Sequence, residues 1–227
     1  GAPIVVKMVM MAAQHPVVVA NATGCLEVST SIAGFTSWKT PWIHNAFENA
    51  AATIAGAETM YRSLKKQGKI NDDIRFIAFG GDGGTSDIGF QSLSGAMERG
   101  HDITYICYDN GAYMNTGIQR SSATPFGADT ATCPVGSGSS GKPEHRKDLT
   151  RIMAAHGIPY VAQAAPSHWL DLMKKVRKAL DIRGPKFINI IAPCNRGWRT
   201  RTDDAIQMSR LAVETCHWPL FEIEGGA

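Results

Sequence analysis

The sequence predicts an α/β fold, a doubly wound, mostly parallel sheet with helices on both faces. Two observations carry this. Several short runs are almost continuously apolar instead of alternating, the pattern of parallel strands covered on both sides. Between them lie segments whose apolar residues recur with helical period, and a glycine closes several of these.

In chain order, the opening apolar stretch Ile4–Ala13 carries Lys7 in its middle and has no basic flank before it, so it reads as a buried helix face and not a signal peptide. Val17–Ala20 is the first predicted strand. From Phe47 the apolar residues recur at Ala50, Ile54, Ala57, Tyr61 and Leu64, with Gly68 as a stop. Phe76–Phe79 is the next strand, and Phe90, Leu93 and Met97 mark a helix ending before Gly100. Ile103–Tyr108 is a third strand. Asp148 is the expected N-cap of a helix through Leu149, Ile152 and Met153 to His156, ahead of Gly157. Ile158–Val161 reads as a weaker strand, Ser167 as the cap of a helix bearing Trp169, Leu172, Val176 and Ala179, and Phe187–Ala192 as the last strand. Residues 1–227 are expected to form one domain, interrupted by an irregular loop at about 121–146. That loop holds Gly136-Ser137-Gly138-Ser139-Ser140-Gly141 and no periodicity. It reads either as a solvated excursion or as a cover over a binding site.

Composition narrows the class. With 44% hydrophobic and 19% charged residues the chain can bury a sizeable core. The 23 Lys and Arg are scattered among 20 Asp and Glu, which argues against a nucleic-acid groove or a polybasic membrane arm. No apolar run approaches the ~18 residues of a membrane span. Five cysteines are too few for a disulfide scaffold of this size and suit a reducing compartment, so a cytoplasmic location is expected.

The chemistry concentrates where Phe76–Phe79 runs into Gly80-Gly81-Asp82-Gly83-Gly84-Thr85 and a helix follows. A strand, a glycine turn and a helix start make an anion site, because backbone amides can approach a phosphate closely. The spacing matches neither the dinucleotide fingerprint nor a P-loop. An acidic residue among these glycines would repel a diphosphate unless a cation lay between them, so Asp82 implies a hard metal ion, most simply Mg²⁺. The next strand ends in Asp109-Asn110-Gly111-Ala112-Tyr113. Neighbouring parallel strands lie about 5 Å apart and end on the same edge, which brings the Asn110 side chain and nearby carbonyls within reach of that cation.

Gly81-Asp82-Gly83 with Asn110 resembles the thiamine diphosphate signature. The wider sequence is similar to the β subunit, or thiamine-diphosphate domain, of the pyruvate:ferredoxin oxidoreductase (pyruvate synthase) branch of the 2-oxoacid:ferredoxin oxidoreductase family. The matching stretches are 21–28, 41–44, 47–51, 80–84, 108–120, 154–160 and 192–194, of which Tyr113-Met114-Asn115-Thr116-Gly117-Ile118-Gln119-Arg120 is specific to this branch. The resemblance implies the thiamine-diphosphate-binding fold, with Asp82, Asn110 and the Ala112 carbonyl holding Mg²⁺. It implies that Gly81, Asp82, Gly83, Gly84 and the run Asn110, Gly111, Ala112, Tyr113, Met114, Asn115 contact the cofactor, and that Asn115 faces the substrate as the catalytic residue. Cys25 and Cys194 would supply two of the four thiolates of a 4Fe–4S cluster, with Cys25 also touching the thiamine. The other two would come from a C-x-x-C expected just ahead of Gly1-Ala2-Pro3. Cys107, Cys133 and Cys216 read as structural or incidental, and His156 as a satisfied core residue. The implied reaction is oxidative decarboxylation of pyruvate with coenzyme A, electrons passing to ferredoxin. It would occur only with partner subunits, one of which binds the aminopyrimidine half of the cofactor and supplies the glutamate it needs. Oxalate or another small 2-oxo acid is an alternative substrate. A non-oxidative thiamine-diphosphate decarboxylase or synthase, or a non-catalytic nucleotide-phosphate module, are alternative functions.

Overall fold

The computed structural model describes residues 1–32 and 34–225. Helix α1 (Ala2–Ala12) leads into strand β1 (Val17–Ala22), followed by α2 (Cys25–Thr30) and β2 (Trp42–Asn45). Then come α3 (Ala50–Lys66), β3 (Arg75–Gly81), α4 (Phe90–Glu98) and β4 (Ile103–Asp109). A two-stranded ribbon, β5 (Val135–Gly136) with β6 (Ser139–Ser140), precedes α5 (Leu149–Ala154) and β7 (Tyr160–Ala164). The chain continues through α6 (Trp169–Asp181), β8 (Lys186–Ile191), α7 (Ala205–Glu214) and β9 (Phe221–Glu224).

The main sheet has the order β2-β1-β3-β4-β8-β7-β9. Every pairing is parallel except β9 on β7. The continuously apolar strands β3, β4 and β8 occupy the centre, where both faces are covered, as their composition requires. Val5 and Val9 of α1 and Leu172 and Val176 of α6 pack on one face, against Val19, Ile77, Ile106 and Ile188. Ile54 of α3, Leu93 of α4 and Met153 of α5 pack on the other, against Ala78, Tyr105 and Phe187. The α3 and α4 segments stop where expected, at Gly68 and Gly100, whose φ values of +70° and +72° are costly for any other residue. Asp148 caps α5 by accepting from the Arg151 amide at 3.1 Å.

Several expectations need correction. Ser167 does not cap α6. A 3₁₀ turn, Pro166–His168, precedes that helix, and the Ser167 hydroxyl instead meets Ser209 Oγ at 3.0 Å. The helix expected from Phe47 begins at Ala50. β2, β9, α2 and α7 were not anticipated. The segment 121–146 is neither of its two expected forms throughout. Its ribbon is exposed, but Ser121, Thr124, Thr130 and Lys142 are buried, and Ser121 and Thr124 are bonded to the sheet edge through Asp82 and the Gly111 carbonyl.

The topology fixes where a ligand belongs. From β1 the chain moves outward to β2, then returns across β1 to β3 and proceeds toward β4. The strand order therefore reverses between β1 and β3, and the crevice at their carboxyl ends is the switch point at which open α/β sheets bind ligands. Cys25 follows β1 there, and Asp82 follows β3.

Candidate functional site

β3 delivers Asp82 directly into the crevice. Gly83 and a π-helical turn, Gly84–Ile88, follow before α4 begins, so the glycine turn opens a wide turn and not the first turn of a long α-helix. An added Cβ at Gly83 would lie 2.5 Å from the Tyr113 ring, and one at Gly84 would lie 3.1 Å from the Phe47 carbonyl. The turn is thus held close beneath an aromatic pair, Phe47 and Tyr113, stacked with centroids 5.6 Å apart. The Tyr113 hydroxyl shares its one proton between the Gly83 carbonyl (3.1 Å) and Asp87 Oδ2 (3.0 Å), both within hydrogen-bond reach.

Asp82 is 1% exposed. Its Oδ2 accepts from Ser121 Oγ at 2.5 Å and its Oδ1 accepts from the Asn110 amide at 3.3 Å. Burial, and then the neighbouring Asp109, push its carboxyl well above the usual carboxylate range, against the two donors. Asp109 is itself buried but paired, with Arg146 Nη2 2.5 Å from its Oδ2 and the Gly111 amide 3.0 Å from its Oδ1.

The Asn110 side chain tests whether a divalent ion fits. One of its two terminal amide atoms sits 3.0 Å from Asp82 Oδ1 and 2.8 Å from the Ala112 carbonyl oxygen. With nitrogen there, the amide donates to both. With oxygen there, three oxygens come together, and a cation among them would balance the set. Mg²⁺–O bonds of 2.0–2.1 Å in an octahedron put adjacent ligand oxygens about 2.9 Å apart, so both separations fit. The donor set is one carboxylate, one amide and one backbone carbonyl, the hard oxygen chemistry Mg²⁺ takes. Among the described residues no three His, Cys, Asp or Glu side chains converge on one point.

The same crevice gathers Gly81, Asp82, Gly83, Gly84, Asn110, Ala112, Tyr113, Met114, Asn115 and Cys25 around one cavity, together with Thr23, Phe47 and Tyr108. Gly111 lies just behind it, in the turn at φ +83°. Asn115 stands exposed at the mouth. Cys25 and Cys194 approach each other. Burial and then Cys194 raise the Cys25 thiol, with Asp82 adding to the effect. Cys107 is fully buried within β4, Cys133 lies in the loop and Cys216 is exposed. His156 is satisfied, bonded to Ser94 Oγ at 2.8 Å and the Ile152 carbonyl at 2.9 Å. Residues that the sequence did not single out complete the surroundings: Ser121 on Asp82, Arg146 on Asp109, and Trp198, whose indole donates to the Asn110 carbonyl at 2.7 Å.

Residues 22–190 match the family described as thiamine pyrophosphate enzyme, C-terminal TPP binding domain, and this defines the class of the crevice. Beyond the class, the chain is 59% identical to pyruvate synthase subunit PorB of Methanocaldococcus jannaschii, over all of this chain and 76% of that one. It is 55% identical to pyruvate synthase subunit PorB of Thermotoga maritima, over all of this chain and 71% of that one. Ketoisovalerate oxidoreductase subunit VorB of Pyrococcus abyssi is 48% identical over 87% of this chain and 65% of its own length. The fold resembles a solved 2-oxoglutarate:ferredoxin oxidoreductase from Magnetococcus marinus, with TM-score 0.72, 21% identity and coverage of 91% of this chain and 64% of that one. The chain belongs to the pyruvate synthase PorB family: it is a thiamine-diphosphate-binding subunit of a multi-subunit 2-oxoacid oxidoreductase.

Proposed function

We propose that the crevice between β1, β3 and β4 holds thiamine diphosphate through a Mg²⁺ ion, and that the assembled enzyme oxidatively decarboxylates pyruvate. The observation that carries this is the convergence of Asp82 Oδ1, the Asn110 amide and the Ala112 carbonyl at 2.8–3.0 Å, beside a glycine turn too tightly covered to accept a side chain. When bound, the cofactor supplies the nucleophilic carbon and the electron sink that cleavage next to a carbonyl needs.

The chain's own residues supply the rest. Asp82, Asn110 and Ala112 would hold the ion. The amides of Gly81, Gly83 and Gly84 and the Gly111–Met114 segment would line the diphosphate. Phe47 and Tyr113 keep water from the turn, and Asn115 at the mouth would hydrogen-bond the substrate. Coenzyme A as acyl acceptor, ferredoxin as electron acceptor and the other oxidoreductase subunits are the implied partners. Cys25 and Cys194 would be two ligands of an iron–sulfur cluster. A cubane takes four thiolates, of which these two would be one pair.

Pyruvate is favoured because the relatives above 50% identity are pyruvate synthase subunits, while a ketoisovalerate oxidoreductase subunit at 48% supports a second reading with a branched 2-oxo acid. In the assembled complex Asp82→Ala is expected to abolish Mg²⁺-dependent retention of thiamine diphosphate through gel filtration. Unchanged retention would overturn the proposal. Dye reduction with pyruvate against 2-oxoisovalerate and oxalate decides the substrate.

A further inference from the structure

Asp82 carries two oxygens, and only Oδ1 faces the Asn110 amide. Oδ2 is turned to Ser121, which is fully buried. The Ser121 hydroxyl accepts from the Ala123 amide at 3.2 Å, so its one proton is committed to Asp82. The Ser121 amide donates to Thr124 Oγ1 at 2.9 Å, and Thr124 Oγ1 donates onward to the Gly111 carbonyl at 2.5 Å. One four-residue turn is therefore bonded both to the carboxylate after β3 and to the turn after β4. That turn is itself anchored. The Lys142 amine, buried and without a carboxylate partner in hydrogen-bond reach among the described residues, donates to the Thr124 carbonyl at 2.6 Å and the Ser122 carbonyl at 3.3 Å. The Ser122 hydroxyl and amide bond Asp87.

Resting on the cation reading above, we propose that Ser121 is a positioning residue for the divalent ion: its hydroxyl pins Asp82 Oδ2 so that the carboxylate offers a single oxygen, while Thr124 holds the Asn110–Ala112 turn at the matching separation. A carboxylate confined to one oxygen suits Mg²⁺, which demands six ligands in near-ideal octahedral geometry. Ca²⁺ tolerates higher coordination and accepts both oxygens of a carboxylate. Ser121 therefore sets which ion the site prefers as well as how tightly it is held.

The test uses the assembled complex freed of metal by chelation, with thiamine diphosphate fixed and Mg²⁺ or Ca²⁺ titrated, binding being read from tryptophan fluorescence or circular dichroism. S121A is expected to raise the Mg²⁺ half-saturation by about 10–100-fold, the range for loss of a group that orients a metal ligand. It should raise the Ca²⁺ value less, and binding should return at high Mg²⁺. S121C, which keeps the volume with a weaker donor, should fall between S121A and the parent. S122A loses only the hydroxyl bond to Asp87, keeps the backbone amide bond and the Lys142 anchor that hold the turn, and touches Asp82 nowhere, so it should stay near the parent value. The proposal is overturned if S121A leaves the Mg²⁺ half-saturation unchanged, if S122A raises it equally, or if both ions shift in parallel. If Asp82→Ala in the same titration leaves Mg²⁺ dependence intact, the cation reading itself fails; if only S121A is silent, that reading stands and the positioning role falls.

Discussion

Replacing Arg146 by Gln removes the charged partner that Asp109 has among the described residues. The Asp109 side chain is 4% exposed and that of Arg146 27%, with 2.5 Å between Nη2 and Oδ2. Leaving one member of a buried pair unpaired costs about 3–5 kcal/mol. Asp109 keeps the Gly111 amide at 3.0 Å, which places the electrostatic cost near the lower end of that range. Arg146 also lies over the Trp218 ring at 4.8 Å, and losing that contact adds about 0.5–1 kcal/mol. The sum is about 3–4 kcal/mol. At about 2–4 °C per kcal/mol for a chain of this size, the midpoint should fall by roughly 6–16 °C. Thermal unfolding of the purified complex, followed by circular dichroism, measures it. A second variant makes the test specific: Asp109→Asn combined with Arg146→Gln removes both charges and should recover most of the loss, since the penalty comes from an unpaired charge and not from the absence of a bridge. A single-variant shift under 2 °C, taken as about the resolution of the method, or a double variant no better than the single, refutes the reasoning.

Two further outcomes follow from the same electrostatics. Burial tends to raise the Asp102 carboxyl, but Lys186 at 2.6 Å and Arg183 at 3.1 Å more than offset this and hold it below its ordinary range. A carboxyl lowered on folding stabilises the fold above its unfolded value of about 3.9 and loses that contribution as pH falls through the folded value, so Asp102→Asn should cost stability at pH 7 and much less near pH 3. Equal urea-midpoint losses at both pH values would contradict this. Asn110→Asp adds a second carboxylate to the ion's ligand set; it should weaken thiamine diphosphate binding while leaving Mg²⁺ binding alone as tight or tighter, measured by calorimetry, and unchanged or improved diphosphate affinity would refute the charge argument.

The central strands were legible because burial on both faces leaves no exposed polar side, and β3, β4 and β8 are apolar along most of their length, with Arg75, Thr104, Asp109, Lys186 and Asn189 as buried exceptions. The edges were not. β2 is largely exposed, and β9 alternates Phe221 and Ile223 inward with Glu222 and Glu224 outward over only four residues. α7 fully buries only Ser209 and Ala212, and its apolar stripe is blurred by that serine and by Ile206 and Leu211 on the exposed side. At the site, Asp82 and Asn110 were legible because each follows a strand directly, and parallel strands bring their ends to one edge. Ser121 and Trp198 were not, since they arrive from segments without period, and nothing in their local sequence says which strand end they will reach. The organic cofactor came from resemblance alone; the residues by themselves specified only an anion and a cation.

The edge also shows why a buried acid beside an anion site need not be self-defeating. On the proposed reading, a divalent ion held by Asp82, with Asn110 and Ala112 contributing neutral oxygens, would keep one positive charge to offer a diphosphate. A second free carboxylate at the same distance would cancel it. Asp109 stands one step from that position, close enough to raise the Asp82 carboxyl, and the fold withdraws it by pairing it with Arg146 and the Gly111 amide. Arg146 closes the same 121–146 excursion that Ser121 opens. One loop thus does two opposite things at the sheet edge: it directs a single oxygen of Asp82 into the crevice and takes the charge of Asp109 out of it. That division of labour explains why a segment without secondary-structure signal has a buried base beneath an exposed ribbon.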